Sequence, residues 1–107
     1  MADTSSWMEG AWARTQRDCQ REGFTSRTFI ALKDPKFGPL YDQYEHHCRI
    51  TDVQPAGAGA VLRLRCHEFW DDFRLRKNGR SEKVTLRPRS DGTLMIDGKH
   101  FSRCGKT

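Results

Sequence analysis

Two strand-like segments on either side of a turn of small residues constrain the fold more than any other feature of the chain. The segments cover residues 46–53 and 60–69, and each carries one cysteine. Between them lies 55–59, with the sequence PAGAG, whose proline and glycines are typical of a hairpin turn. The middle of the chain is therefore predicted to be an antiparallel hairpin.

The register of this hairpin follows from the position of its turn. Residues that face each other across an antiparallel pair have a constant sum of residue numbers, so with Gly57 at the tip Ile50 faces Leu64. The same register places Cys48 opposite Cys66, where a disulfide would close a loop of about 19 residues and stabilise the fold by roughly 3 kcal/mol. One face of the hairpin then carries Cys48, Ile50, Leu62, Leu64 and Cys66, and the other carries Arg49, Arg63 and Arg65.

The other two cysteines are Cys19 and Cys104. An even number of cysteines with no CxxC pair favours disulfides over a metal ribbon, and the second bridge follows from the first by elimination. Hydrophobic residues make up only 36% of the chain and charged residues 31%, so the core is small and covalent bridges matter for its stability. Disulfides indicate an oxidising compartment, and we expect a periplasmic or secreted protein.

Membrane and targeting segments are not evident in the sequence. No stretch approaches the roughly 20 apolar residues that a membrane-spanning helix needs, so no membrane span is expected. Residues 1–6 have neither a basic start nor an apolar run. If the chain is exported, we therefore expect that a signal peptide has been removed.

Further short strand-like segments occur at 10–14, 27–32, 83–87, 93–96 and 100–104. The first contains Trp12, which we expect to be a large buried anchor. Near the other end, Asp97 and Gly98 form a two-residue turn signal that folds Leu94 back opposite Phe101. Seven to eight short strands at this spacing predict an all-β fold, a small antiparallel meander that closes into a barrel. We expect residues 1–8 to be a loose N-terminal segment and residues 9–107 to form a single domain.

The segment 33–44 is the predicted contact surface for a partner. Prolines at 35 and 39 and a glycine at 38 interrupt any regular element, so residues 33–40 are expected to form a long, mobile connection. Binding residues concentrate on loops that a rigid scaffold carries. The candidate apolar anchors are Phe37, Leu40 and Tyr41, and the alternative is that these three residues cap the mouth of the barrel.

An excess of positive charge is the most informative surface feature. Nineteen lysines and arginines against fourteen acidic residues give a net charge of +5. The basic residues after position 60 include Arg63, Arg65, Arg74, Arg76, Lys77, Arg80, Lys83, Arg87 and Arg89. Because Trp70 and Phe73 are available for stacking, this basic set is a candidate binding site for an anionic surface, a nucleic acid or another polyanion. The candidate contacts there are Trp70, Arg74 and Arg76.

The sequence R-L-R at 63–65 and again at 74–76 favours a different interpretation of the same charges. Such alternation is typical of half-buried strands, with leucine inside and arginine outside. Both segments are therefore predicted to be strands with a solvated basic face. Nucleic acid is for this reason the less favoured partner.

Histidines beside the cysteines raise the alternative of a zinc site, with candidate ligands His46, His47, Cys48, Cys66 and His67. Adjacent residues on a strand point to opposite faces, so His47 and Cys48 do not reach one ion without a bulge. A disulfide also removes the free thiolate that a metal or a cysteine nucleophile needs. We therefore predict no metal site and no thiol catalysis.

Other catalytic chemistry has little support. The carboxylates of Glu68, Asp71 and Asp72 are interpreted as a solvated loop neutralised by arginines, because acid and base catalysis would need one carboxyl in a dry pocket. No serine nucleophile elbow, phosphate-binding glycine loop or HExxH motif occurs in the sequence. We predict that the protein is not an enzyme and has no cofactor.

Several short motifs together carry a family resemblance. Gly10 and Trp12 form a G-x-W pattern, Arg103 is placed to stack over that tryptophan, a Y-E-x-x-C run ends at Cys48, and F-S-R-C occupies 101–104. With these motifs the chain resembles a group of small exported proteobacterial proteins, mostly uncharacterised, that have a lipocalin-like barrel. The resemblance implies such a barrel over residues 9–104.

The same resemblance bears on function. Similar small periplasmic barrels include inhibitors of secreted metalloproteases and of lysozyme, which implies an inhibitor or binding role by analogy. The chain is too short for the large ligand cup of the lipocalins proper, so a bulky lipid ligand is not expected. The leading prediction is a non-catalytic periplasmic or secreted binding module with a protein partner, and inhibition of a secreted hydrolase is its specific form. The alternative is a basic protein that binds nucleic acid or another polyanion.

Overall fold

The fold is one antiparallel sheet of eight strands that closes on itself. A computed structural model describes residues 6–20 and 27–105. Each strand pairs with the next along the chain, and the last pairs back with the first. The strands are β1 Gly10–Ala13, β2 Arg27–Asp34, β3 Gly38–Gln43, β4 His46–Ala56, β5 Gly59–His67, β6 Arg80–Pro88, β7 Leu94–Ile96 and β8 Lys99–Arg103. The predicted all-β meander closing into a barrel is confirmed.

Three short helices accompany the barrel in the described residues. A 3₁₀ helix spans Ser6–Met8, α1 spans Gln16–Gln20 and α2 spans Trp70–Leu75. Within residues 6–20 and 27–105, a helix with the length and apolar character needed to cross a membrane does not occur.

Side chains at alternate positions of each strand fill the interior of the barrel. On β5 the leucines at 62 and 64 are buried, whereas Arg63 and Arg65 are exposed, as the first R-L-R pattern predicts. The buried core consists of Met8, Trp12, Ile30, Tyr41, Cys48, Ile50, Ala60, Leu62, Leu64, Cys66, Val84, Leu86, Leu94 and Ile96.

The N-terminal 3₁₀ helix closes one end of the barrel. Met8 is fully buried, and its carbonyl accepts a hydrogen bond from the indole of Trp12 at 2.9 Å. The Arg103 guanidinium lies 4.2 Å from the Trp12 ring and donates to the carbonyls of Trp7 and Glu9 at 3.0 and 2.6 Å. The predicted stacking of Arg103 on Trp12 is confirmed. The prediction of a loose segment at 1–8 is wrong for Met8, and residues 1–5 lie outside the described residues.

The central hairpin has the predicted cysteine pair but a different turn. Two residues, 57 and 58, form the turn, rather than a single residue at its tip. A bulge between Ile50 and Asp52 offsets this difference by one residue. Cys48 therefore still lies opposite Cys66.

Both predicted disulfides are confirmed. The Cys48–Cys66 bridge joins β4 to β5 inside the barrel, with a Cα–Cα distance of 4.0 Å. The Cys19–Cys104 bridge joins α1 to the residue that follows β8, with a Cα–Cα distance of 5.3 Å. The second bridge ties the start of the barrel to its end, because α1 follows β1 directly.

The long connection predicted at 33–40 is wrong. β2 continues to Asp34 and β3 begins at Gly38, so only residues 35–37 lie between them. The Asp34 carboxylate accepts hydrogen bonds from the backbone N–H groups of Lys36 and Phe37 at 2.9 and 2.8 Å. Gly38 then takes a positive φ of 75°, which glycine adopts without a steric penalty. The proline at 35 thus marks a tight turn, not a loop.

The strand predicted at 74–76 is also wrong. This segment contains the end of α2, and Arg76 terminates the helix in a left-handed conformation with a φ of 59°. The Leu75 side chain is 62% exposed, so the second R-L-R sequence does not alternate between inside and outside. Phe73 is fully buried and anchors the helix, which explains why tertiary packing overrides the two-residue pattern.

Candidate functional site

A second apolar cluster lies outside the barrel, where α2 packs on β4 and β5. We call it the outer cluster, and it comprises Phe37, His67, Trp70 and Phe73. The Phe73 ring makes edge contacts with Phe37 at 5.7 Å and with His67 at 6.0 Å. The Arg49 guanidinium lies 3.9 Å from the same ring and donates to the Phe73 carbonyl at 2.8 Å. These contacts hold α2 against the barrel wall.

Trp70 stands at the edge of the outer cluster. Its ring stacks on Phe37 at 5.3 Å and on His47 at 3.9 Å, and the planes of Trp70 and His47 differ by 22°. The Phe73 ring contacts Trp70 edge-on at 5.1 Å. Three rings therefore fix the indole in place, and its remaining surface forms the wall of a groove.

This groove has a volume of about 660 Å³ and opens between Trp70 and the outer face of β1 to β4. Its floor is a row of side chains that lie opposite each other on four successive strands: Ala11, Phe29, Asp42 and His47. Its remaining lining residues are Arg27, Gln43, Tyr44 and Glu45. Mostly apolar concavities of this size with a few polar groups are typical of ligand sites.

Local features of the chain explain why the groove is open and aromatic. Ala11 supplies only a methyl group on β1, which leaves space beside the 41% exposed Phe29. Tyr44 is 56% exposed and lies in the tight turn between β3 and β4. In that turn Glu45 takes a positive φ of 51°. Two large apolar rings are thus presented to solvent at one place, as is typical of interaction sites.

A short polar contact interrupts the apolar floor. Asp42 Oδ1 lies 2.5 Å from Nδ1 of His47, so the imidazole donates a hydrogen bond to the carboxylate. Burial raises the pKa of Asp42 above its ordinary value of 3.8, and the hydrogen bond from His47 only partly opposes this rise. The pair gives the groove one acceptor with a fixed direction.

The structure separates the three predicted loop anchors. Phe37 joins the outer cluster, where it meets the predicted contact Trp70. Leu40 is 4% exposed and lies on the outer face of β3 opposite Arg49, whereas Tyr41 is 3% exposed and belongs to the barrel core. Burial raises the pKa of Tyr41 above its ordinary value. Leu40 and Tyr41 are therefore wrong as surface anchors, because a strand carries them and both side chains are covered.

The predicted contacts Arg74 and Arg76 do not line the groove. Both are exposed near the end of α2, and Arg74 forms an ion pair with the Asp71 carboxylate. Their role in binding a polyanion stays a prediction.

Sequence reasoning missed the floor and rim residues Phe29, Asp42, Tyr44 and His47. The alternation of β2 carries a signal for Phe29. Its two neighbours on the strand, Thr28 and Ile30, both point into the barrel. Alternation along β2 therefore sends the large ring between them outward. Asp42 and His47 follow from the same alternation once their strands are paired in register.

The outer face of β4, β5 and β6 carries like charges opposite each other. Arg49 faces Arg65 across β4 and β5, and Arg63 faces Lys83 across β5 and β6, whereas on its β4 side Arg63 faces Asp52. Like charges directly opposite each other destabilise a sheet, by up to about 1 kcal/mol per pair. In the described part of the chain, an acidic partner within ion-pair distance is absent for Arg63 and for Lys83.

The lining of the groove suits noncovalent binding. Its aromatic rings and the oriented carboxylate of Asp42 match a segment with an apolar face. Comparisons of this chain with protein-family models, with curated proteins and with solved structures found no match.

Proposed function

We propose that this chain is a non-catalytic binding module of the periplasm or the extracellular space, which holds a protein partner in the groove beside Trp70. The observation that carries the proposal is the groove, whose floor exposes Phe29 and whose rim exposes Tyr44. Aromatic side chains on a rigid surface dominate binding in many protein interfaces. The closed barrel supplies the rigid surface.

The two disulfides support the exported location. Disulfides persist in oxidising compartments and are rare where thiols are kept reduced. All four cysteines of the chain are paired, as Cys19–Cys104 and Cys48–Cys66. None of the four cysteines is therefore a free thiol, which is the state that a reducing compartment would favour.

Charged groups at the groove indicate which partner segment fits. The carboxylates of Asp42 and Glu45 lie among the aromatic lining residues. A partner segment that carries an aromatic or aliphatic side chain next to a lysine or arginine would fill the groove and pair with these carboxylates. The specific form that we propose is inhibition of a secreted hydrolase that presents such a segment near its active site.

Site-specific photo-crosslinking tests the proposal. Benzoylphenylalanine in place of Phe29 puts the reactive group on the groove floor. The control has the same residue in place of Leu75, which is exposed but outside the groove. We expect position 29 to capture a partner from the exported protein fraction and position 75 to capture none. Equal capture at both positions contradicts the proposal.

Small aromatic probes give a second readout that needs no knowledge of the partner. Indole and p-cresol mimic the side chains of tryptophan and tyrosine and are titrated into isotope-labelled protein. We expect amide shifts to concentrate at Phe29, Asp42 and His47, and to disappear in the variant Phe29→Ala. Shifts spread over the whole barrel, or an absence of shifts, would count against the groove as a binding site.

A second candidate function rests on the like-charged pairs Arg49–Arg65 and Arg63–Lys83. Because these pairs oppose folding, a ligand that neutralises them would stabilise the sheet, and a polyanion is the ligand that does so. We therefore propose polyanion binding on the outer face of β4 to β6 as the alternative.

Heparin affinity at increasing salt tests this alternative. The double variant Arg63→Gln with Lys83→Gln should elute at clearly lower salt than the wild type. The matched control, Arg17→Gln with Lys36→Gln, removes the same charge from exposed positions on α1 and the β2–β3 turn. Equal elution of the two double variants would show a general charge effect and exclude a specific face.

A further inference from the structure

A group of metal-ligand atoms lies inside the barrel, next to the disulfide. His46 and Cys48 are two residues apart on β4, so both side chains point inward, and Cys66 faces Cys48 from β5. His46 Nε2 lies 3.7 Å from Cys48 Sγ. The ligand atoms of His46, Cys48 and Cys66 all lie within 4.8 Å of one another. The histidine that adjoins the cysteines on the same face is thus His46, not His47.

Hydrogen bonds orient the His46 ring for this geometry. Gln43 donates its amide N–H to Thr28 Oγ1 at 2.9 Å, which turns the amide oxygen of Gln43 toward His46 Nδ1 at 2.7 Å. Nδ1 therefore carries the proton of its hydrogen bond to Gln43, and Nε2 faces both the Glu82 carboxylate, at 2.9 Å, and Cys48 Sγ. In zinc sites the far nitrogen of a ligand histidine is regularly fixed by a hydrogen-bond partner in this way.

We propose that reduction of the Cys48–Cys66 disulfide converts this group into a zinc site with the ligands His46 Nε2, Cys48 Sγ and Cys66 Sγ. Tetrahedral zinc has Zn–S bonds of about 2.3 Å and Zn–N bonds of about 2.0 Å, which place sulfur and nitrogen ligands about 3.5 Å apart. The observed 3.7 Å between Nε2 and Cys48 Sγ already fits this edge. For the full site, the two sulfurs have to separate and Glu82 has to release Nε2.

The conversion of the disulfide into the zinc site takes two steps, reduction and metal binding. A dithiol reductant supplies two electrons, the S–S bond breaks, both cysteine sulfurs take up a proton as thiols, and the reductant becomes a disulfide. Zn²⁺ then displaces the two thiol protons and the proton shared between His46 Nε2 and Glu82 Oε1, and it accepts the lone pair of Nε2. The zinc site and the disulfide therefore exclude each other, and the state of the barrel core follows the redox potential around it.

The fourth coordination position and the route for the ion lie at the open mouth of the barrel. A cavity of about 200 Å³ there is lined by His46, Glu82, Tyr41 and Lys99, among others. Glu82 Oε1 lies 2.9 Å from His46 Nε2, so its carboxylate stands beside the position that the ion would take. The side chains of His46 and Glu82 are 24% and 31% exposed. An ion that enters this cavity therefore meets His46 and Glu82 first, because Cys48 and Cys66 are fully buried.

Cobalt binding tests the proposal in a variant that isolates the site. Cys19→Ser with Cys104→Ser leaves only the Cys48–Cys66 bridge, and the protein is studied before and after anaerobic reduction with a phosphine. We expect the reduced protein to bind one Co²⁺ per chain, with a thiolate-to-cobalt charge-transfer band and the visible bands of tetrahedral coordination, and to release it to Zn²⁺. The oxidised protein should bind none. Equal binding by both forms overturns the proposal.

Two further variants, made in the same background, assign the ligand set. His46→Gln should weaken Co²⁺ binding at least about ten-fold, and Gln43→Ala should weaken it by a similar factor through the orientation of the ring. The control His100→Gln alters an exposed histidine on β8 and should leave binding unchanged. Unchanged affinity in His46→Gln overturns the proposal. If reduction unfolds the chain, Zn²⁺ must restore the native amide spectrum, and failure to do so also overturns it.

Discussion

The imidazole of His47 stacks on the indole of Trp70, with ring centroids 3.9 Å apart, and this contact joins the groove to the outer cluster. His47 belongs to the barrel wall, whereas Trp70 belongs to the helix outside it. The wall of the groove is therefore only as stable as the packing of α2 on the barrel.

Truncation of Trp70 tests this coupling. Trp70→Ala removes ring contacts with Phe37, His47 and Phe73, and we expect the free energy of unfolding to fall by about 2–3 kcal/mol. Phe69→Ala is the matched control, because Phe69 precedes Trp70 and is 55% exposed, and its effect should stay within about 0.5 kcal/mol. Urea unfolding measures both values, and similar losses in the two variants would refute the coupling.

Stability should decrease in mildly acidic solution because of His67. This histidine is 2% exposed, and burial, followed by the charge of Arg49, lowers its pKa below the ordinary value of 6.5. Above pH 6.5 the ring is neutral in both the folded and the unfolded chain. Below it, the unfolded chain binds a proton that the folded protein binds less readily, so stability is lost as the pH falls toward the folded-state pKa.

A non-titrating variant isolates this contribution. The difference in unfolding free energy between the wild type and His67→Gln should shrink as the pH is lowered through the range below 6.5. Asp72, whose charge opposes the pKa shift, is present in both proteins. A difference that stays constant over this pH range would mean that the buried ring does not resist protonation.

The first residue of β5, Gly59, should not tolerate an added methyl group. A Cβ atom there would overlap the backbone carbonyl oxygen of Leu86 and lie 3.0 Å from the Cα of Arg87. Because backbone atoms cannot swing away, Gly59→Ala should cost about 2–3 kcal/mol. Ala58→Ser changes the exposed neighbouring residue and should be nearly neutral. Chemical denaturation measures the free energy of unfolding of both variants. An unchanged value for Gly59→Ala would show that β5 and β6 can move apart at this position.

Arg103 should not be replaceable by lysine. Its guanidinium donates to two carbonyls of the N-terminal segment while it stacks on Trp12, and an ammonium group cannot do both. We expect Arg103→Lys to lower the free energy of unfolding by about 1–2 kcal/mol. Arg87→Lys, at an exposed position of β6, is the control and should change it little. Equal midpoints of thermal unfolding for the two variants would contradict this role of the Arg103 guanidinium.

The parts of the fold that were predictable depend on local patterns. The Cys48–Cys66 pair follows from one turn and the two-residue period of its strands, and a bulge that the sequence does not announce leaves the pair intact. The turn at Asp97 and Gly98, with Leu94 opposite Phe101, follows in the same way. Prediction failed at 74–76, where the burial of a single ring decides the conformation.

The groove could not be predicted because it forms between distant parts of the chain. Phe37 and Trp70 are far apart in sequence and come together only after α2 has packed on the barrel. The row from Ala11 to His47 likewise requires the register of three strand pairs at once. Composition indicated that aromatic and charged residues were present, but their arrangement is a product of tertiary structure.

The junction between β1 and β8 is the shortest in the ring, with pairing only at Trp12–Arg103 and Ala13–Ser102. A ring of strands opens first where the fewest hydrogen bonds hold it. The Cys19–Cys104 bridge ties α1, which follows β1, to the residue after β8, so in the oxidised chain the two strands cannot move far apart. We therefore expect reduction of that one bond to speed the exchange of the β1 and β8 amide protons with water more than the exchange of those in the other strands.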